Sequence, residues 1–221
     1  MVTAPRIKKS YLDMYGDNII TDWVLKYYEI FDTLDQAQGG LQLNIREVYR
    51  VKNYMQDRKF GKFLEIGVCD GGSLWLYSQL FCKPSAEIIG IDINEKPCAV
   101  KVVSALGRNF DSAAYIIANA DEIVDTFQDN YFDLIHIDAN HTYKELKKNF
   151  DNYIPKLTDF GIMLLHDTNA RNNPEPRAFV DNEVLPFYNC KQFDELGYAA
   201  SSYENSPETL ITGTTLIQRK G

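Results

Sequence analysis

The sequence is poor in what several functional classes need. No apolar run approaches the roughly 20 residues of a membrane-spanning helix, so no membrane span is expected. The basic residues near the N-terminus are not followed by an apolar stretch, so no signal peptide is expected and the cytoplasm is the expected location. Four cysteines, Cys69, Cys82, Cys98 and Cys190, make neither a C-x-x-C pair nor a regular framework, which points to reduced thiols. Basic residues are outnumbered, 23 Lys and Arg against 31 Asp and Glu, for a formal charge of -8. Such a balance repels phosphate backbones and argues against a nucleic-acid partner. The short basic clusters (Arg6, Lys8, Lys9; Arg58, Lys59, Lys62; Lys147, Lys148) all have acids nearby and read as solvated faces. Histidine is scarcest in an informative way: the only three are His136, His141 and His166.

What is present suits a globular chain. At 221 residues and 45% hydrophobic, it is long enough to bury one substantial core. Beyond residue 60, apolar runs of strand length (62–66, 87–93, 114–118, 132–138, 161–166) alternate with helix-like stretches (73–80, 98–106, 122–127, 143–155). Nearly continuous Ile, Leu, Val and Phe is the mark of strands buried on both faces. The fold class expected is therefore α/β: one doubly wound, mostly parallel sheet with right-handed crossovers. Residues 177–187 read as a further helix, and 194–200 and 212–219 as two last strands. Residues 1–60 read as an N-terminal helical arm, with helices at 19–34 and 44–59 separated by Gly39-Gly40, and 61–221 as the main domain. The arm's aromatic stripe (Trp23, Tyr27, Tyr28, Phe31) is read first as core or subunit packing, which leaves a homo-oligomer open.

The run FLEIGVCDGGS carries a strand into a glycine-rich turn and a helix. Gly67, Gly71 and Gly72 let the main chain pass close to a ligand, and the helix start at Ser73 offers free amides. The spacing is E-x-G-x-x-x-G rather than the G-x-G-x-x-G of dinucleotide sites. Asp70 lies where a pyrophosphate would sit, so Glu65 and Asp70 suit a ligand without phosphate and with positive charge. Asp92, ending the next strand, is placed to accept the hydroxyls of a ribose. Without a ligand, the same residues would make a tight turn and a capped strand end.

DLIHIDANHTYKEL puts Asp138 at a strand end and His141 three residues on; GIMLLHDT puts His166 and Asp167 at the end of the next strand. In a doubly wound sheet these ends share one crevice with the glycine loop. Each residue also has a plainer reading: Asp138 as a helix cap, His141 as a turn residue, His166 paired with Asp167, and His136 as a core or supporting histidine.

Together, Glu65-x-Gly67-x-x-x-Gly71, Asp92, IDANHTYKEL and GIMLLHDT resemble class I S-adenosylmethionine-dependent methyltransferases. The closer similarity is to the group of metal-dependent sugar O-methyltransferases and cephalosporin-hydroxylase-like proteins, over about residues 60–168. The resemblance implies that Glu65, Gly67, Gly71 and Ser73 serve the methionine part of S-adenosylmethionine and Asp92 its ribose. Ala118-Asn119-Ala120-Asp121 stands where the family commonly has Gly-Asp-Ala, so Asn119 or Asp121 would meet the adenine. Asp138 and Asp167 would ligate a divalent metal, with His166 in place of the first acid of the family's pair, and His141 would be the general base. Carboxylate donors favour Mg²⁺, with Mn²⁺ or Ca²⁺ allowed, and a ligating histidine would shift the preference toward a transition metal. The acceptor implied is a hydroxyl of a small polyol, a sugar or glycosylated metabolite. The arm, Tyr143 and the loop 169–176 are expected to shape its pocket. Two other readings compete. Asp138, His141 and His166 could form the two-histidine, one-carboxylate face of a non-haem iron oxygenase, or the crevice could bind a cofactor without catalysis.

Overall fold

A computed structural model describes residues 18–31, 41, 43–169, 173–194, 197–198, 209–210 and 212–220. The basic cluster at Arg6, Lys8 and Lys9, the Gly39-Gly40 breaker and residues 170–172 of the 169–176 loop lie outside these. The chain begins with α1 (Ile19–Tyr28) and α2 (Ile45–Met55), then alternates β1 (Phe60–Ile66), α3 (Gly72–Phe81), β2 (Cys82–Asp92), α4 (Pro97–Leu106) and β3 (Ser112–Ile117). It continues through the single turn α5 (Ala120–Ile123), β4 (Phe132–Ile137), α6 (Tyr143–Tyr153), β5 (Leu157–Leu165) and α7 (Glu175–Phe179), which runs into a π-helical turn at Val180–Val184. The described chain closes with β6 (Asn189–Phe193), β7 (Gly197–Tyr198), β8 (Thr209–Leu210) and β9 (Thr214–Gln218).

Seven strands form one sheet in the order β3-β2-β1-β4-β5-β9-β6, while β7 and β8 pair apart from it. The pairs from β3 through β5 are parallel; β9 is antiparallel to both β5 and β6. This is the Rossmann-like fold of class I methyltransferases, and the doubly wound α/β expectation holds.

Both faces of the sheet are covered, which explains the continuous apolar runs. Alternate residues of one strand serve opposite cores. Phe63, Ile88, Leu134, Ile162 and Leu216 meet α1 to α4, whereas Leu64, Ile89, Ile135, Met163 and Ile217 meet α6 and Phe179-Val180. Each wholly buried Phe or Leu contributes about 1.5–3 kcal/mol, so the two layers carry most of the folding energy.

The arm packs into the first of these cores. Asn18 caps α1 through the amides of Ile20 and Thr21. The Trp75 indole donates to the Trp23 carbonyl at 2.9 Å, and the Tyr27 hydroxyl to the Asp70 carbonyl at 3.2 Å. Tyr27 is fully buried, so the aromatic stripe packs against α3 and the glycine loop.

Some boundaries differ from those expected. Among the described residues α1 ends at Tyr28. Of the strand expected at 194–200, Gly197–Tyr198 forms β7 apart from the main sheet, and residues 195–196 and 199–200 lie outside the described ones; β6, at Asn189–Phe193, was not expected. The 177–187 helix begins at Glu175 and loosens into the π turn. All four cysteines are free thiols. No helix among the described residues is long and apolar enough to cross a membrane.

Candidate active site

The C-terminal ends of β1, β2, β3 and β4 open onto a cleft of about 500 Å³, the position at which open α/β sheets bind ligands. Its lining includes Gly67, Cys69, Asp92, Asn119, Asp121 and Asp138. The first wall is the glycine loop. Gly67 has φ +87°, and a Cβ there would sit 2.1 Å from the Asp138 carbonyl oxygen. Only glycine lets the ends of β1 and β4 close to this distance. Cys69, the next loop residue with positive φ, donates its amide to Asp92 Oδ2 at 2.8 Å, and Asn94 donates to Oδ1 at 3.0 Å. These two bonds fix the Asp92 carboxylate at the strand end, and each oxygen retains a further lone pair.

Of the other expected cofactor residues, Asn119 and Asp121 line the cleft, whereas Glu65, Gly71 and Ser73 do not. Glu65 is completely buried, and its Oε1 is 2.6 Å from His136 Nδ1. Burial pushes the Glu65 carboxyl up despite His136 and the neighbouring Ser73 hydroxyl. Gly71 caps α3 and Ser73 lies in its first turn, both behind the cleft wall. Asn119 caps α5 by accepting the Asp121 amide. The Asp121 carboxylate is engaged by Asn149 and Asn152, each at 2.9 Å, and by Lys148 at 2.9 Å. Asp121 thus ties α5 to α6, and of the two candidates Asn119 has the less occupied side chain.

The second wall holds the acids and imidazoles. His141 stands between two carboxylates, with Nε2 3.2 Å from Asp138 Oδ1 and Nδ1 3.3 Å from Asp167 Oδ2. Its backbone is held by Asn173, which donates to the His141 carbonyl at 2.9 Å. Asp167 has φ +54°, a left-handed conformation that aspartate tolerates better than most residues. His166 is buried, with Nδ1 3.3 Å from Asp138 and 3.5 Å from Asp167 but with no aligned hydrogen bond on either ring nitrogen. The His136 ring lies 6.0 Å from that of His166, beneath the site, as a buried supporting residue. Tyr143 faces away: its hydroxyl donates to Glu183 and its ring packs edge-on against Phe179.

The electrostatics are those of an acid–imidazolium cluster. Burial pushes the Asp138 carboxyl up, but His166 and His141 outweigh it and hold it well below the usual range. The Asp138 hydrogen bond raises His141 against the effect of burial, with Asp167 adding to the rise. Burial alone would lower His166; Asp138, Asp167 and Glu47 instead hold it up to about 10. An imidazole whose pKa rises from 6.5 to about 10 on folding binds its proton in the native state. Its stabilisation is complete below pH 6.5 and is lost as pH climbs through about 10. Melting temperatures of the metal-free protein should fall across that window, and less steeply in His166→Gln. A wild-type profile no steeper than the variant's would refute a charged His166.

Could these residues hold a cation? Donor atoms of Asp138, His141 and Asp167 all lie within 4.8 Å of one another. Two carboxylates and one imidazole suit a hard or borderline divalent ion with ligands at about 2.0–2.2 Å. The donor set fits. This compact group contains His141, whereas the sequence-based ligand set has His166, which adjoins it from the buried side.

Residues 64–168 match a family described as "Methyltransferase domain". Together with the sheet order above, that match makes residues 64–168 similar to a methyltransferase domain. The chain resembles the O-methyltransferase TomG of Streptomyces achromogenes, involved in tomaymycin synthesis and solved with S-adenosylmethionine (TM-score 0.62, 13% identity, all of both chains). It also resembles a Bacillus cereus O-methyltransferase solved with S-adenosylhomocysteine (TM-score 0.62, 12% identity, 96% of this chain and 97% of that one). At these identities the likeness is one of fold. A stretch of 52 residues is 40% identical to the uncharacterized protein y4gI of Sinorhizobium fredii; it covers 24% of this chain and only 6% of that protein. Within residues 64–168, the glycine loop and the Asp92 strand end line the cleft, and Asp138 links it to the Asp138–His141–Asp167 group.

One residue that bears on this second half was missed in the sequence. Asn44-x-x-Glu47 has the spacing of a helix capping box, which would leave Glu47 near solvent. Instead Glu47 is 2% exposed and its carboxylate is turned inward. Its burial next to the last strand has no local signal.

Proposed function

We propose that the chain binds S-adenosylmethionine in the cleft and transfers its methyl group to a hydroxyl of a small polyol, a sugar or glycosylated metabolite, with a divalent cation assisting. The observation that carries this reading is the adjacency of two halves. Asp138 lines the cleft floor next to Gly67 and Asp92, and it also belongs to the compact carboxylate–imidazole group. A nucleoside held at Asp92 and Asn119 would therefore lie beside that group.

Asp92 would accept the ribose hydroxyls, Asn119 would meet the adenine edge, and the open backbone at Gly67 would let the methionine part lie against the loop. Neither Asp92 nor Asn119 repels a sulfonium, and the acidic surroundings favour one. Asp138 and Asp167, with His166 beside them, would hold Mg²⁺ or a similar ion, whose part is to orient the acceptor hydroxyl and lower its pKa. His141 would take the hydroxyl proton as the oxygen attacks the methyl carbon, and the two flanking acids stabilise the imidazolium that results. The iron-oxygenase reading needs two imidazoles and one carboxylate, whereas the compact group has two carboxylates and one imidazole.

The test is calorimetry with S-adenosylmethionine, followed by a panel of sugars and glycosides with Mg²⁺, with EDTA, and with Fe(II) plus 2-oxoglutarate. Release of S-adenosylhomocysteine that EDTA stops and Mg²⁺ restores is the expected result. Oxygen-dependent turnover without S-adenosylmethionine would replace this reading by the oxygenase. Cofactor binding with neither metal uptake nor transfer would leave a binding module.

A further inference from the structure

The Glu47 carboxylate, on the N-terminal arm, is the hub of a buried clamp. Its Oε1 accepts from the Thr212 hydroxyl at 2.9 Å, the Gly213 amide at 2.9 Å and the Asn44 side chain at 3.1 Å. Its Oε2 accepts from the Thr214 hydroxyl at 3.2 Å. Removing an acceptor that satisfies several buried donors costs far more than one ordinary hydrogen bond. The strand start so gripped leads directly to the candidate cation site. The Gly213 carbonyl accepts the Thr168 amide at 3.0 Å and the Thr212 carbonyl accepts the Asn169 amide at 2.8 Å. The Thr215 hydroxyl reaches that of Thr168 at 2.9 Å, with both residues wholly buried.

Residues 168 and 169 are thus fixed by the residues that lead into β9, the strand beside β5, immediately after Asp167. This matters because Asp167 is the member of the cation group with a left-handed backbone. A non-glycine residue stays in that region only when its neighbours over-determine it. The bonds at Thr168 and Asn169 supply that constraint on one side, and Glu47 holds the segment that makes them. We propose that Glu47 is a positioning residue: by clamping Thr212–Thr214 onto the turn after Asp167, it aims the Asp167 carboxylate at the divalent cation.

This role rests on reading Asp138, His141 and Asp167 as a cation site, and the experiment separates the two ideas. Mn²⁺ binding is titrated by electron paramagnetic resonance, and S-adenosylhomocysteine binding by calorimetry, in wild type, Glu47→Ala, Glu47→Gln and Thr212→Val. Glutamine keeps an oxygen for the three Oε1 donors while removing the charge. In Glu47→Ala, Mn²⁺ affinity should drop about tenfold, the usual cost of losing a partner that orients a metal ligand. Glu47→Gln should restore it, Thr212→Val should fall between, and the homologue's affinity without metal should hold in all. Unchanged Mn²⁺ affinity in Glu47→Ala overturns the role, as does an equal loss of both ligands, which would signify general disorder. Glu47→Gln as weak as alanine would assign the effect to charge and overturn the clamp. If Glu47→Ala does not fold, wild-type Mn²⁺ affinity in Thr212→Val overturns the proposal. A wild-type protein that takes up no Mn²⁺ removes the cation reading and this role with it.

Discussion

Replacing His141 by alanine should reduce methyl transfer by about 10²–10⁴-fold, the usual contribution of a positioned general base, while S-adenosylhomocysteine still binds. The expected size follows from the position of the ring. Its two nitrogens face two different carboxylates at 3.2 and 3.3 Å, so the imidazole is oriented from both sides and its protonated form is favoured. That arrangement lets His141 receive a proton and keep it near the reacting oxygen. It also sets the direction of the pH dependence. Asp138 and Asp167 raise His141 in the metal-free protein, and a cation on those carboxylates would offset that rise. Only the neutral ring can act as base, so kcat should rise with pH as the imidazole loses its proton. Alanine at 141 should flatten the limb. The cofactor half is expected to be untouched, because Asp92 and Asn119 are held by their own loops. Near-normal turnover in the variant would sink the base assignment. Loss of homologue binding would show instead that His141 supports the cleft.

Much of the fold was legible because its signals are local. Strands β1, β4 and β5 are buried on both faces, so their apolar runs stand out without knowledge of their partners. The same holds for the site's glycines and acids, which end those strands and inherit their positions from them. Edge elements read less well. β6 is an outer strand of the sheet, and its sequence, NCKQF, alternates between solvent and sheet; without an apolar run, it gave no strand signal. Asp121 and Glu47 were opaque for another reason. Asp121 meets its partners 28 and 31 residues later, and Glu47 its partners 165 to 167 residues later. A carboxylate near a helix N-terminus looks like an ordinary capping acid, and only the tertiary fold shows what it holds. His166 is intermediate. Its place at the strand end was legible, but its burial beside Asp138 depends on how β4 and β5 align: His136 is paired with Leu164, and His166 follows two residues on.

Substituting alanine at Gly67 should both destabilise the fold and abolish cofactor binding. The left-handed backbone by itself costs an L-residue about 1–2 kcal/mol. The larger obstacle is the new methyl group, 2.1 Å from the Asp138 carbonyl oxygen and 2.6 Å from its carbonyl carbon. Neither atom is the tip of a flexible side chain, so the backbone itself must part. The amide of Asp138 is bonded to the Ile66 carbonyl and that of Gly67 to the Ile91 carbonyl, both at 2.9 Å. Any separation therefore pulls on the two strand ends that flank the cleft. From the backbone cost alone, melting should fall by roughly 2–8 °C for a chain of this size, and the displaced carbonyl adds to that. Displacing residue 138 also moves the one carboxylate shared by the cleft and the cation group, so S-adenosylhomocysteine and Mn²⁺ affinity should fall together. That joint loss separates Gly67→Ala from Glu47→Ala, in which only the cation should be affected. Wild-type affinity for both ligands in a folded Gly67→Ala protein would mean that the close approach of β1 and β4 does not shape the site.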